Sequence, residues 1–183
     1  MKPAKNILAI EGEWTNRLDD RETVKSTLTF LYEVYGINYI FRKANTLGSL
    51  VAYLDKGTKD SYKKYGIILL AFHGSEAGIE LDNGNIVSLN KLAKKCEGFF
   101  ENKLVHFSSC SIAKNVSNLE NFKRITRAKK VMGYTTNIDF LESTLFDIAL
   151  LQKLNEFRAP ANVEKYLRSN YKSLYDDLGF KMI

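Results

Sequence analysis

The stretch GIILLAFHGSEAG, which runs from Gly66 to Gly78, decides the fold of this protein. Its apolar residues do not alternate with polar ones, a pattern typical of a central parallel strand that is covered on both faces. His73 and Gly74 follow this apolar run directly. Because the loops at the carboxyl ends of parallel strands meet at one edge of a sheet, His73 is a candidate functional residue.

Strand-like and helix-like segments alternate along the rest of the chain. Apolar runs predict four more strands, over residues 6–11, 37–43, 103–109 and 129–136. Segments with apolar residues at helical spacing lie between them. This alternation predicts an α/β fold in which a mostly parallel central sheet is flanked by helices on both faces.

Local signals predict three further features of the chain. Asp19 and Glu22 have the spacing of a capping box and predict the start of a helix that ends at Gly36. The tripeptide DNG at residues 82–84, between two short alternating runs, predicts a tight hairpin. An amphipathic pattern after Pro160 predicts a last helix, which ends at Gly179.

Composition limits the classes of function. A chain of 183 residues with 45% hydrophobic content fits one compact domain over residues 1–183. Two cysteines and two histidines are poor material for a disulfide framework or a zinc site, so we expect no metal and no cofactor. No apolar run approaches the ~20 residues of a membrane span, and the start of the sequence lacks the features of a secretory signal. We therefore expect a cytoplasmic protein without a membrane partner.

The charge of the chain does not favour a nucleic-acid partner. The formal net charge is +6, but the lysines and arginines are scattered along the sequence. The one dense basic cluster, at residues 123–130, is more typical of a solvated helix face than of a phosphate-binding surface. We therefore expect no binding of nucleic acid.

His73 and Cys110 each follow a predicted strand, and these two strands are consecutive. Consecutive strands joined by a right-handed crossover usually lie side by side, about 4.8 Å apart, so the imidazole and the thiol can face each other. An imidazole that removes the thiol proton makes the cysteine a nucleophile. Gly74 lacks a Cβ and lets a substrate carbonyl approach, so its N–H and that of Cys110 are candidates to hold an oxyanion.

The other histidine and the other cysteine have structural interpretations. His106 shares a face with Cys110, but four extended residues separate them by roughly 13 Å, which is too far for proton transfer. We expect His106 to be a hydrogen-bonded core residue. Cys96 lies on the apolar face of a predicted helix, and we expect it to pack in the core.

The segments IILLAFHG and LVHFSSC resemble the two signature blocks of the clan CD cysteine peptidases, which include caspases, metacaspases, gingipains and legumains. The resemblance implies a caspase-like three-layer sandwich and a catalytic dyad of His73 and Cys110. It also implies that Gly74 and Cys110 supply the oxyanion N–H groups and that a peptide bond is cleaved through a thioester. Two departures are clear: metacaspases carry Asp where this chain has Ser108, and the glutamine-alanine-cysteine block of caspases is absent.

The same resemblance suggests residues that contact the substrate. In the resembled fold, the ends of the first, fourth and fifth strands line the pocket for the P1 residue. These ends carry Glu11, Ser108, Asp139 and Glu142 here, and we expect a preference for Arg or Lys at P1, with Glu11 or Asp139 as the counter-charge. Asp139 and Glu142 also have the spacing of a helix capping box, and the two roles stay open.

The main hypothesis is a cysteine endopeptidase, or a related amidohydrolase, whose partner is a peptide or protein substrate. The alternative is a catalytically silent caspase-fold scaffold or regulatory binding module. A receiver-like or nucleotide-binding domain is disfavoured, because no glycine-rich phosphate loop follows an early strand. The sequence leaves open whether two copies pair along a sheet edge as a homodimer.

Overall fold

Strands and helices alternate along the chain, as the sequence predicts. The computed structural model describes residues 5–15, 17–82 and 84–183, and the elements below are those of the described residues. The strands are β1 (Ile7–Glu11), β2 (Tyr39–Lys43), β3 (Ile67–Ala71), β4 (Gly74–Ser75), β5 (Gly78–Glu80), β6 (Ile86–Val87), β7 (Leu104–Ser108), β8 (Lys130–Tyr134) and β9 (Phe180–Met182). The helices are α1 (Lys25–Tyr35), α2 (Leu47–Lys56), α3 (Leu89–Lys95), α4 (Val116–Thr126), α5 (Phe140–Glu156), α6 (Pro160–Asn170) and α7 (Lys172–Asp177).

A six-stranded sheet forms the middle layer, with the order β2-β1-β3-β7-β8-β9. All five predicted strands are present and run parallel to one another. The short strand β9 pairs antiparallel with β8 at one edge. The mostly parallel α/β architecture predicted from the sequence is therefore confirmed.

The residues of β3 are buried on both faces of the sheet. Ile68 and Leu70 belong to a core cluster that also contains Leu50, Leu92 and Leu119, from three different helices. The alternate residues of the strand pack in the opposite cluster, with apolar side chains of α1 and α5. A strand that is covered twice has no face for polar residues, which explains the unbroken apolar run of this segment.

A small antiparallel sheet of β4, β5 and β6 follows His73 directly. The strands β5 and β6 form the predicted hairpin, although Asn83 in its turn lies outside the described residues. Gly78 has φ 148°, and a Cβ there would lie 2.1 Å from the carbonyl oxygen of Val87, so only glycine fits at this position.

Three details of the fold differ from the sequence predictions. Helix α1 begins after Val24 without a side-chain cap, so the predicted capping box of Asp19 and Glu22 does not form. The last helical region divides into α6 and α7 at Tyr171. The strand β9 was not predicted, because three residues are too few to show a period.

No helix in the described ranges is long and apolar enough to cross a membrane.

Candidate active site

The register of the sheet brings His73 and Cys110 to the same edge. Strands β3 and β7 are parallel neighbours in which Ala71 pairs with Ser108. His73 and Cys110 each lie two residues beyond this pair, so their side chains leave the sheet at the same level. Both line one cavity of about 290 Å³.

The backbone of Gly74 lies against the backbone of Cys110. A Cβ placed on Gly74 would be 2.7 Å from Cβ of Ser109 and 2.8 Å from the carbonyl oxygen of Cys110. Real Cβ atoms essentially never approach other atoms so closely, so a side chain at position 74 would displace the segment that carries Ser109 and Cys110. Glycine at this position therefore allows the two strand ends to meet.

Two backbone N–H groups at this junction have no acceptor among the residues that the structure describes. The N–H of Glu80 donates to the carbonyl of His73 at 2.8 Å, which makes Gly74 and Ile79 a non-hydrogen-bonded pair of the small sheet. The N–H of Gly74 therefore points away from β5. Within the described part of the chain, neither this group nor the N–H of Cys110 donates to a protein acceptor.

The ring of His73 is oriented by Trp14, which the sequence analysis did not identify. Nε2 of His73 is 2.5 Å from the carbonyl oxygen of Trp14, and the two rings meet edge to face at 5.4 Å between centroids. A carbonyl oxygen only accepts hydrogen bonds, so Nε2 carries the proton of the neutral ring. The other nitrogen, Nδ1, is then free to accept a proton.

The thiol of Cys110 contacts the loop after β8. The N–H of Ile138 donates to Sγ at 3.4 Å, and Sγ lies 3.8 Å from the carbonyl oxygen of Ile138. A thiolate accepts such an N–H better than a neutral thiol does. No hydrogen bond joins His73 to Cys110 among the residues that the structure describes.

Ser111, the residue after Cys110, has an unusual backbone conformation. Ser111 has φ 51°, in the left-handed region that favours glycine. Its N–H donates to the carbonyl of Thr136 at 2.8 Å, and its Oγ donates to Oδ1 of Asn137 at 2.9 Å. These contacts hold a turn that presents Cys110 to the cavity. Non-glycine residues in this conformation concentrate at functional sites.

Glu11 does not line the cavity, in contrast to the role predicted for it. Its side chain is completely buried, and its carboxylate accepts hydrogen bonds from Nε1 of Trp14 (2.8 Å), the hydroxyl of Thr23 (2.8 Å) and the N–H of Val24 (2.7 Å). Glu11 therefore stabilises the loop that orients His73. Its carboxylate also accepts the N–H of Val24 at the start of α1, in place of a capping side chain from the helix itself.

Asp139 and Glu142, the two acidic residues predicted at the start of α5, differ in whether they line the cavity. Asp139 is the N-cap of the helix, because Oδ1 accepts the N–H groups of Leu141 (2.8 Å) and Glu142 (3.1 Å), and it also lines the cavity. Glu142 is exposed and is not a lining residue. Glu22, which the sequence analysis assigned to a cap, lines the cavity instead.

His106 is buried and hydrogen-bonded, as predicted. Its Nε2 lies 2.6 Å from Oδ1 of Asp147, a buried residue of α5. Asp147 also accepts hydrogen bonds from the hydroxyl groups of Ser108 and Tyr134. Burial and the nearby carboxylate raise the pKa of Tyr134 well above its usual value, so the phenol stays a donor. The sequence offered no signal for Asp147, since one acidic residue in an amphipathic helix is ordinary.

The arrangement can support nucleophilic acyl chemistry. The imidazole of His73 and the thiol of Cys110 line one cavity, and the N–H groups of Gly74 and Cys110, which have no acceptor among the described residues, lie at the same junction. Glu22 and Asp139 line the cavity, and no lysine or arginine is among the described residues that do. A second cavity of about 490 Å³ is also lined by Trp14 and His73, so His73 contacts two cavities.

Comparisons with known proteins agree with this fold. A family model described as a family of unknown function (DUF6642) matches residues 4–183. No curated protein matches the sequence. Among solved structures, a secreted C11 cysteine protease from Bacteroides thetaiotaomicron, in complex with an irreversible peptide inhibitor, is similar with a TM-score of 0.62 and 12% identity. The similarity covers 95% of this chain and 59% of the protease chain, and at this identity it shows the fold, which is consistent with a caspase-like sandwich.

Proposed function

We propose that this chain, which belongs to the family of unknown function DUF6642, is a cysteine endopeptidase that uses His73 and Cys110 as a catalytic dyad. The observation that carries the proposal is the junction of two strand ends at one cavity. There the imidazole and the thiol follow neighbouring strands in register and line the cavity, and the N–H groups of Gly74 and Cys110 beside them have no acceptor among the described residues. The cysteine protease among the structural neighbours supports the hydrolase class.

The reaction follows from the positions of these groups. Nδ1 of His73 takes the thiol proton as Sγ of Cys110 attacks the carbonyl carbon of the scissile peptide bond. The N–H groups of Gly74 and Cys110 stabilise the negative oxygen of the tetrahedral intermediate. The intermediate collapses when His73 returns the proton to the leaving amine, which leaves a thioester on Cys110. Water, deprotonated by the same Nδ1, then hydrolyses the thioester and regenerates the thiol.

The cavity favours Arg or Lys as the P1 residue. Its acidic residues, Glu22 and Asp139, attract a cation, and the described lining residues include no cation to oppose it. Phe72, Val24 and Phe140 supply apolar surface against which the aliphatic part of a long basic side chain can pack.

Active-site labelling tests the dyad. We expect an electrophilic peptide probe with Arg at P1 to alkylate Cys110 rapidly, with the site mapped by mass spectrometry. His73→Ala should slow the labelling by about 10²-fold or more, in line with the usual contribution of a general base. Cys110→Ala should abolish labelling and peptide cleavage without a change in the unfolding temperature. Labelling at Cys96, or an equal rate in His73→Ala, would contradict the proposal.

One observation favours the alternative, a catalytically silent binding module. Cys110 faces Ile138 rather than His73, so the dyad is not joined by a hydrogen bond in the described structure. For a silent module, the rate of Cys110 alkylation by iodoacetamide as a function of pH should follow that of an ordinary exposed thiol, and His73→Ala should leave it unchanged. A peptidase should show the rate enhancement at neutral pH that the imidazole provides.

A further inference from the structure

The buried carboxylate of Asp147 lies directly behind the floor of the cavity. Asp147 is 3% exposed and comes from α5, whereas Ser108 ends the strand that leads to Cys110. Oγ of Ser108 donates to Oδ2 of Asp147 at 2.7 Å, and Ser108 itself lines the cavity. One hydroxyl group therefore separates the carboxylate from the ligand space.

The hydrogen bonds of Asp147 indicate that it is ionised. Its three partners are the hydroxyl groups of Ser108 and Tyr134 and Nε2 of His106. Nδ1 of His106 is buried and has no partner among the described residues. A charged ring would bury an unpaired N–H there, so the ring is neutral and donates from Nε2. Three donors converge on the carboxyl group of Asp147. A carboxylate can accept all three hydrogen bonds, whereas a protonated carboxyl group would place its own O–H against one of the donors.

No cation neutralises this charge in the described part of the chain. Neither a lysine nor an arginine forms an ion pair with Asp147 there; its one ion-pair contact is with His106. Water screens a buried charge much less than an exposed one, so its potential extends into the adjoining cavity. Glu22 and Asp139, in contrast, are exposed.

Ser109, which follows Ser108 and also lines the cavity, has a polar atom without a partner among the described residues. Oγ of Ser109 is buried, has no hydrogen-bond partner among the described residues, and belongs to a residue that lines the same cavity. Ser109 is only 1% exposed. Buried hydroxyl groups are usually hydrogen-bonded, so Ser109 is an exception within the described part of the chain.

We propose that Asp147 strengthens the preference for a cationic P1 side chain beyond what Glu22 and Asp139 provide, acting through Oγ of Ser108. The hydroxyl donates its proton to the carboxylate and turns its lone pairs toward the cavity, where they accept from a guanidinium or ammonium group. Asp147 supplies the charge from behind the floor, and Ser108 makes the contact. This inference rests on the proposed function, because it takes the cavity as the pocket for the P1 residue.

A binding experiment tests the inference without requiring catalysis. The probe is p-aminobenzamidine, a small amidinium cation, titrated by fluorescence against the Cys110→Ala protein. We expect Asp147→Asn in this background to weaken binding at least about tenfold, equivalent to ~1.4 kcal/mol. Glu120→Gln, which removes the same charge from an exposed position on α4, is the matched control and should leave binding unchanged. Equal binding in Asp147→Asn, or no binding to the parent protein, would overturn the inference.

Moving the charge provides a second variant in case Asp147→Asn is destabilised. The double substitution Ser108→Asp with Asp147→Asn places a carboxylate directly on the floor and should restore binding of the probe. Ser108→Ala alone should weaken binding while keeping Asp147 buried. If the double variant folds, as judged by circular dichroism, and still fails to bind, the carboxylate does not act on the cavity and the inference is wrong.

Cleavage kinetics separate this inference from the proposed function. Citrulline is a neutral isostere of arginine, so the ratio of kcat/KM for Arg and citrulline substrates reports the charge preference alone. We expect Asp147→Asn to lower this ratio at least about tenfold, whereas a purely structural role would lower both rates and leave the ratio unchanged. An active enzyme with an unaltered ratio would refute the role of Asp147. The absence of any Cys110-dependent cleavage would refute the proposed function instead.

Discussion

Replacement of Gly74 by alanine should damage the active site much more than the added methyl group suggests. The new Cβ would lie 2.8 Å from the carbonyl oxygen of Cys110 and 2.7 Å from Cβ of Ser109. Contacts become ordinary only at 3.4 Å, so these groups must separate by about 0.6 Å. Because the neighbours are backbone and Cβ atoms, the segment that carries the nucleophile has to move.

The expected cost of Gly74→Ala has two parts. Overpacking of this kind typically costs about 1–3 kcal/mol of stability. Misplacement of catalytic groups by about 1 Å can cost 10²-fold in rate, so we expect kcat/KM to fall by roughly 10-fold to 10²-fold. The measurements are cleavage of a fluorogenic peptide with Arg at P1, the labelling rate of Cys110, and thermal unfolding.

Gly48→Ala is the matched control for this experiment. Gly48 lies in α2, and the nearest atom to an added Cβ there is Oγ1 of Thr46, at 3.8 Å. Alanine is the better helix former by about 1 kcal/mol, so Gly48→Ala should keep full activity and equal or exceed the parent in stability. If Gly74→Ala kept both its unfolding temperature and its labelling rate, the close contact between the two strand ends would not be needed for activity.

Three further results are expected. Burial raises the pKa of Cys96 to about 12, so an alkylating reagent at pH 8 should modify Cys110 and spare Cys96 until the protein is unfolded; native modification of Cys96 would be inconsistent with its burial. Glu11→Gln replaces one acceptor oxygen by an NH2 group and removes the negative charge from three hydrogen bonds, so it should lower the free energy of unfolding in urea by about 2 kcal/mol. An unchanged denaturation midpoint would contradict the role of Glu11 in holding Trp14. Ser111→Val forces a β-branched residue into the left-handed conformation, so it should be less stable than Ser111→Gly and should have a kcat/KM that is lower by a few-fold to tenfold. Equal stability and equal kcat/KM of the two variants would show that the turn is not strained.

The contact between the carbonyl group of Trp14 and the ring of His73 could not be predicted from the sequence. Trp14 lies 59 residues before His73 and reaches it through a loop, and nothing in the pattern of residues 12–24 indicates that its carbonyl faces an imidazole. Glu11 ends a strand, so an exposed carboxylate was an equally reasonable expectation. Its burial depends on Val24 and Thr23, whose N–H and hydroxyl groups are brought to it only when α1 packs on the sheet.

The sequence by itself determined the layers, the five parallel strands and the location of His73 and Cys110 at strand ends. It could do so because burial on two faces imposes an unbroken apolar run, and chain order makes consecutive strands neighbours. Only the tertiary structure decided which carboxylates face the cavity. Glu11 turned inward, Glu22 and Asp139 line the cavity, and Asp147 lies beneath its floor. The direction of a polar side chain depends on partners that are distant in the chain, and no local periodicity records those partners.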